Sequence, residues 1–123
     1  MKTDARKRLG DFGERYALNY LQKHGYKLIG KNYRCRAGEI DLIAKEGGDI
    51  VFIEVRTRRS RSFGTPEESV THLKQGKLIQ AAQSYLEAAK QENAGWRIDV
   101  VAIEMLPGGK LKRVDIIKNA VQG

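Results

Sequence analysis

Hydrophobic positions along this chain change their period several times, and each change marks an element. Leu9, Phe12, Gly13, Tyr16, Ala17, Tyr20 and Leu21 recur at helical spacing and predict a helix from about Gly10 to His24, stopped by His24-Gly25. Tyr26 to Tyr33 reads as a first strand. Glu39 to Ala44 and Ile50 to Arg56 read as a second and third, joined as a hairpin by Lys45-Glu46-Gly47-Gly48-Asp49. The polar stretch Thr57 to Gly64 reads as a loop. Thr65-Pro66-Glu67-Glu68 has the form of a helix start. A short turn of helix there runs into a longer helix to about Glu92, carried by Leu73, Leu78, Ala81, Ala82, Tyr85 and Ala89, with Gly76 as a place to bend or break. Trp96 to Glu104 is a fourth strand, and its Val100-Val101-Ala102-Ile103 run predicts burial on both faces. After Pro107-Gly108-Gly109, Leu111 to Ile117 is a fifth.

The order is α-β-β-β-α-β-β. A helical crossover between the third and fourth strands makes them parallel, whereas the hairpins are antiparallel. The predicted fold class is α/β, a mixed central sheet flanked by helices.

Composition narrows the class. The 123 residues suit one compact domain, and the basic residues within 1–8 read as a flexible arm. With 41% hydrophobic and 31% charged residues, a folded core is expected. Cys35 is the one cysteine, so an internal disulfide is excluded. No stretch is long or apolar enough to span a bilayer, and Met1-Lys2-Thr3-Asp4-Ala5-Arg6-Lys7-Arg8 lacks the apolar core of a signal peptide. The expectation is a cytoplasmic protein without membrane segments. A net charge of +8 on so small a domain favours a polyanion as partner, nucleic acid before an anionic membrane surface.

Against that basic background, a few acids sit on mostly apolar strands. Asp41 lies in Gly38-Glu39-Ile40-Asp41-Leu42-Ile43-Ala44 and Glu54 in Val51-Phe52-Ile53-Glu54-Val55-Arg56. Strand alternation puts Glu39 with Asp41 on one face and Glu54 with Arg56 on another, and the hairpin brings the faces together. Glu14, beside the apolar stripe of the first helix, adds a third acid. Carboxylates so gathered suit a hard cation, Mg²⁺ or Mn²⁺, held by Asp41 and Glu54 with the Val55 carbonyl. Glu14 would bind a second ion or orient water. The chemistry expected is metal-assisted phosphodiester hydrolysis, with Arg56 on the attacked phosphate. The structural alternative is a set of cross-strand ion pairs.

Arg56, Arg58, Arg59 and Arg61 crowd six residues beginning at this site, and Lys74 and Lys77 lie one helical turn apart. They would grip a nucleic-acid backbone; the plain alternative is a solvated basic loop. Cys35 reads as a packed thiol, His24 and His72 as isolated, and Asp99 as an ion-pair partner of Arg97 or a loop arginine.

Asp41 followed by Glu54-Val55-Arg56 resembles the D…(D/E)-x-K signature of the PD-(D/E)xK nuclease superfamily, with a gap of twelve residues. A glutamate on the first helix, as Glu14 is here, resembles the branch that includes archaeal Holliday-junction resolvases. Gly10–Ala17, Asn32–Ala44, Phe52–Arg58 and Arg97–Ala102 are similar to the small bacterial YraN-type family. The resemblance implies a restriction-endonuclease-like fold and an endonuclease acting on DNA, including branched or damaged DNA, with RNA a weaker candidate. Symmetric cleavage of a four-way junction would call for a homodimer. One departure stands out: the signature lysine position holds Arg56, which stays protonated and cannot act as a general base. Lys74 or Lys77 could substitute. A non-catalytic nucleic-acid-binding module that keeps the nuclease fold is the rival reading.

Overall fold

The structure, a computed structural model, describes residues 2–62 and 64–122, with side chains from residue 7 onward. Helix α1 (Lys2–Lys23) is followed by β1 (Lys27–Cys35), β2 (Gly38–Glu46) and β3 (Asp49–Arg58). A 3-10 turn (Glu67–Ser69) leads into α2 (His72–Ala88), and β4 (Trp96–Met105) and β5 (Leu111–Val121) complete the chain. The strands lie side by side in chain order, antiparallel except for the parallel pair β3–β4. This is the expected restriction-endonuclease-like arrangement, a mixed sheet with a helix on each face.

Two apolar layers hold it together. On one face Ala17 and Leu21 of α1 pack on Leu42, Ala44, Val51, Ile53, Val101 and Ile103. On the other, Leu78, Ala81, Ala82 and Leu86 of α2 pack on Ile43, Phe52, Ile98 and Val100. β3 and β4 alternate between the two layers, which is why their sequences are near-continuous apolar runs. Phe52 anchors the second layer, its ring edge-on to Tyr85 and Trp96 at 5.6 and 5.9 Å.

Several boundaries differ from the sequence reading; β3 takes in Thr57 and Arg58 from the expected loop because both still pair with β4, and β5 continues past Ile117 to Val121 along the same strand. Helix α1 begins at Lys2, so Lys2–Arg8 continue the helix; Met1 and the side chains through Arg6 of the expected arm lie outside the described residues. The short turn of helix expected at Thr65 and the longer helix after it are both present, but as separate elements, the 3-10 turn and α2. Thr65 and Glu68 do form a reciprocal cap, with Glu68 N–H on Thr65 Oγ1 (3.3 Å) and Thr65 N–H on Glu68 Oε1 (2.7 Å). Val70 then leaves helical geometry (φ −82°, ψ 85°), and Thr71 caps a second start by accepting from Lys74 N–H at 3.2 Å. α2 closes early because Lys90 turns left-handed (φ +57°), letting Gln91 N–H reach the Leu86 carbonyl at 2.8 Å. Gly76 sits inside α2 without breaking it.

Candidate active site

The rungs between β2 and β3 end at Leu42 opposite Ile53. Beyond that point β3 stays on β4 as far as Arg58 opposite Glu104, while β2 stays on β1 down to Gly38. The sheet therefore forks, and Asp41 and Glu54 are the first residues past the last rung, one on each branch. Val55 N–H, left without a partner strand, donates to Asp41 Oδ2 at 2.8 Å.

Strand alternation fails at this fork. Ile40 packs in the α2 layer and Leu42 in the α1 layer, although residues two apart in a regular strand share a face. Across the ribbon, between the pairs Lys31↔Leu42 and Tyr33↔Ile40, Asn32 takes the left-handed conformation (φ +53°). Asparagine tolerates that region better than most residues. The β1–β2 ribbon thus inverts its side-chain sense at Asn32 and Asp41. Regular alternation therefore does not carry through Asp41, yet Glu39 and Asp41 both act on Glu14. Glu39 still acts on Asp41 electrostatically and pairs with Arg34 at 3.4 Å.

Asp41 and Glu54 face each other closely enough to share a proton. Burial pushes the Asp41 carboxyl up to about 7; the Glu54 charge adds to the rise and the Val55 N–H opposes it. Glu54 is 4% exposed, and its Oε2 meets Arg56 Nη2 at 3.0 Å and Lys74 Nζ at 3.4 Å. Arg56 therefore occupies the signature lysine position and reaches the expected acid, and Lys74 brings an ammonium to the same oxygen from α2.

Glu14 enters from the opposite layer. α1 crosses β3 where Gly13 meets Thr57, and a Cβ on Gly13 would overlap Thr57 Oγ1. The missing side chain lets the helix lie close enough for Glu14 to line the fork. Burial raises the Glu14 pKa, Asp41, Asp11 and Glu39 raise it further, and Lys31 opposes them.

The fork opens as a cleft of about 640 Å³, lined by Glu14, Asp41 and Glu54 together with Arg56, Arg58, Arg59 and Lys74. Two of the expected basic residues are elsewhere. Arg61 spends its fork on Glu104, with Nε at 2.6 Å from Oε1 and Nη2 at 2.8 Å from Oε2. Arg113 Nε lies 2.7 Å from the same Oε2, so the pair braces the loop after β3. Lys77 does not line the cleft; its stem lies against Gly38 under the β1–β2 turn.

Among the described residues no three acidic, histidine or cysteine side chains form a ready-made cation cage. The donor set nonetheless fits Mg²⁺ or Mn²⁺. Such an ion keeps most of its water and is held by one or two carboxylates plus substrate oxygens, and Asp41 and Glu54 are two carboxylates pressed together with the Val55 backbone lining the same cleft.

Three contributors escaped the sequence reading: the Val55 N–H, the inversion at Asn32 and the close approach at Gly13. Gly13 carries a signal, since a glycine inside a helical pattern often marks close packing. Asp99 is the expected partner of Arg97 (Nε to Oδ1, 3.0 Å), and it also accepts from Tyr26 Oη–H at 2.8 Å and Asn119 N–H at 2.9 Å. Among the described residues no helix is long and apolar enough to cross a membrane.

The family model described as "Uncharacterised protein family UPF0102" matches residues 13–103. A UPF0102 protein of Caldicellulosiruptor saccharolyticus is 43% identical over 115 residues, covering 94% of this chain and 98% of that protein. One from Symbiobacterium thermophilum is 47% identical over 114 residues, covering 93% and 96%. One from Geobacter metallireducens is 41% identical over 116 residues, covering 94% and 93%.

Proposed function

On the premise that this chain belongs to the uncharacterised family UPF0102, we propose that it is a metal-dependent endonuclease that hydrolyses phosphodiester bonds of DNA, branched or junction DNA included. The observation that carries this reading is the Asp41–Glu54 pair: two carboxyl groups held together at a strand fork inside a basic cleft. Ionised together they repel. A divalent cation relieves that repulsion, and a phosphate backbone suits the surrounding arginines.

Asp41 and Glu54 would hold Mg²⁺ or Mn²⁺, with the Val55 carbonyl beside them. When bound, the cation acidifies water and offsets charge on the attacked phosphate. Val55 N–H fixes the Asp41 carboxylate through Oδ2. Glu14, across the cleft and with a raised pKa, orients the attacking water or helps hold a second ion. Arg56 keeps Glu54 in place through Nη2, while its Nε is buried without a hydrogen-bond partner among the described residues. Lys74 supplies the point charge that a lysine at position 56 would have brought, and Arg58 and Arg59 hold flanking phosphates. Symmetric junction cutting would need two copies of the chain.

The rival is a nucleic-acid-binding module without turnover. It is favoured by Glu54 already being matched by two cations, Arg56 and Lys74. The test is cleavage of labelled duplex, single-stranded, flap and four-way-junction DNA with Mg²⁺, Mn²⁺ or EDTA, with Glu54→Ala purified in parallel. Metal-dependent cutting lost in the variant supports the nuclease; salt-sensitive binding with no cutting of any substrate supports the module.

A further inference from the structure

Beside the acidic cleft lies a second, smaller hollow of about 180 Å³, lined by Arg8, Leu9, Phe12, Arg59, Met105 and Gly109. It shares Leu9 and Arg59 with the cleft, so the two are contiguous. Its floor is apolar, and Phe12 is 37% exposed on α1, whereas Leu9, Tyr16, Leu18 and Tyr20 of that helix are half-buried and Leu21 is buried. The ring is backed by others one turn apart: Phe12 to Tyr16 at 6.1 Å, Tyr16 to Tyr20 at 6.4 Å and Tyr20 to His24 at 4.2 Å between centroids. That ladder holds Phe12 on a rigid support.

An apolar floor, one aromatic ring and two guanidinium groups match the flat face and anionic backbone of a nucleotide. The hollow has room for one planar base. A base within an intact duplex must first be unstacked and unpaired to enter it, so an already unpaired position is the favoured source of the occupant. Arg59 then touches the unpaired nucleotide and the cleft at once.

We propose that this hollow receives an unstacked nucleobase next to the scissile phosphate, making the protein selective for DNA with unpaired bases at or near the cut. The inference rests on the nucleic-acid reading of the cleft and names its substrate class.

Affinity can be measured with cleavage excluded, by fluorescence anisotropy in EDTA. Paired 30-mer duplex would be compared with the same duplex carrying an unpaired thymine. Wild type should favour the unpaired form about tenfold, the range of one base–aromatic stack. Phe12→Ala should bring that ratio close to one, and Phe12→Trp should keep it, which separates stacking from general damage to the fold. With 5-iodouracil at the unpaired position, ultraviolet cross-linking should map to Arg8–Phe12. Equal affinity of wild type for both duplexes, or a ratio unmoved by Phe12→Ala, overturns this inference alone. Absence of all nucleic-acid binding overturns it together with the proposed function. A clear preference without metal-dependent cutting upholds the hollow and assigns the cleft to the binding module.

Discussion

Val55 gives its backbone N–H to the carboxylate of Asp41, at 2.8 Å, where β2 and β3 part. A carboxylate oxygen thus stands in for a strand carbonyl, and the acid is fixed by main chain instead of by flexible side chains. Asp41→Ala removes both the acceptor and the charge; Asp41→Asn keeps an acceptor. Both should lower metal-dependent cleavage by at least about a hundredfold. Circular dichroism should show both folded, and the Asn variant should keep DNA affinity. Cleavage within a few-fold of wild type in either variant would sink the assignment of Asp41.

The raised pKa of Asp41 gives a pH signature with a definite sign. Its pKa is near 4 in the unfolded chain and about 7 in the fold. The folded state therefore holds this proton more tightly. The stability from this group is fully present below about pH 4 and lost as pH rises through about 7. Metal-free protein should melt at higher temperature near pH 5 than near pH 8, and Asp41→Asn should flatten that difference. Mg²⁺ must displace the proton, so its affinity should rise with pH and level off above about 7. Calorimetry in buffers of different ionisation heat would detect the released proton.

Lys74 and Lys77 are neighbours on α2 with different surroundings. Lys74 lies 3.4 Å from Glu54 Oε2, whereas Lys77 rests against the β1–β2 turn. Lys74→Gln should reduce cleavage about tenfold or more, and Arg56→Lys should retain most activity because the charge beside Glu54 survives. Single-turnover kinetics would separate these effects from binding. Lys77→Gln should do far less than Lys74→Gln, and equal losses would contradict the geometry.

The loop arginines should differ in salt dependence. Neutralising Arg58 or Arg59 should lower the slope of log Kd against log salt by about one each. Arg61→Gln should leave the slope nearly unchanged and lower thermal stability instead, because its guanidinium is engaged by buried Glu104. Binding titrations across a salt series, alongside melting curves, would check both.

Gly13 offers a purely steric test. Gly13→Ala drives a methyl into Thr57 and should destabilise the fold by about 1–3 kcal/mol. It should also cost activity by displacing Glu14. Gly76→Ala, in a helix with open space around it, should stabilise by up to about 1 kcal/mol. Denaturant melts of the two variants should shift in opposite directions.

What was legible in the sequence follows from the range of the interactions. The hairpin, the parallel crossover and the convergence of Asp41, Glu54 and Glu14 could be read because apolar runs, Gly47-Gly48 and the helical stripe are local signals. The short turn leading into a longer helix was legible too, but the interruption at Val70 and the second cap at Thr71 were not, because the pattern continues across Val70. Arg61 looked like its neighbours because its partner Glu104 is 43 residues away in sequence. The inversion at Asn32 was hidden by the assumption of strict alternation, which holds only for an unbroken strand.

That inversion has a consequence for how far the protein can be altered. It divides the β1–β2 ribbon into two halves of opposite parity, so that Ile40 in one half and Ile43 in the other share the α2 layer while Leu42 packs in the α1 layer. Inserting one residue near Asn32 would shift one half against the other and send an apolar side chain toward water. Substitutions that keep hydrophobicity can be absorbed along most of the ribbon, whereas an added residue needs a bulge such as the one β1 carries between Leu28 and Gly30. The site is thus tied to residue count between Asn32 and Asp41 as well as to the acids themselves.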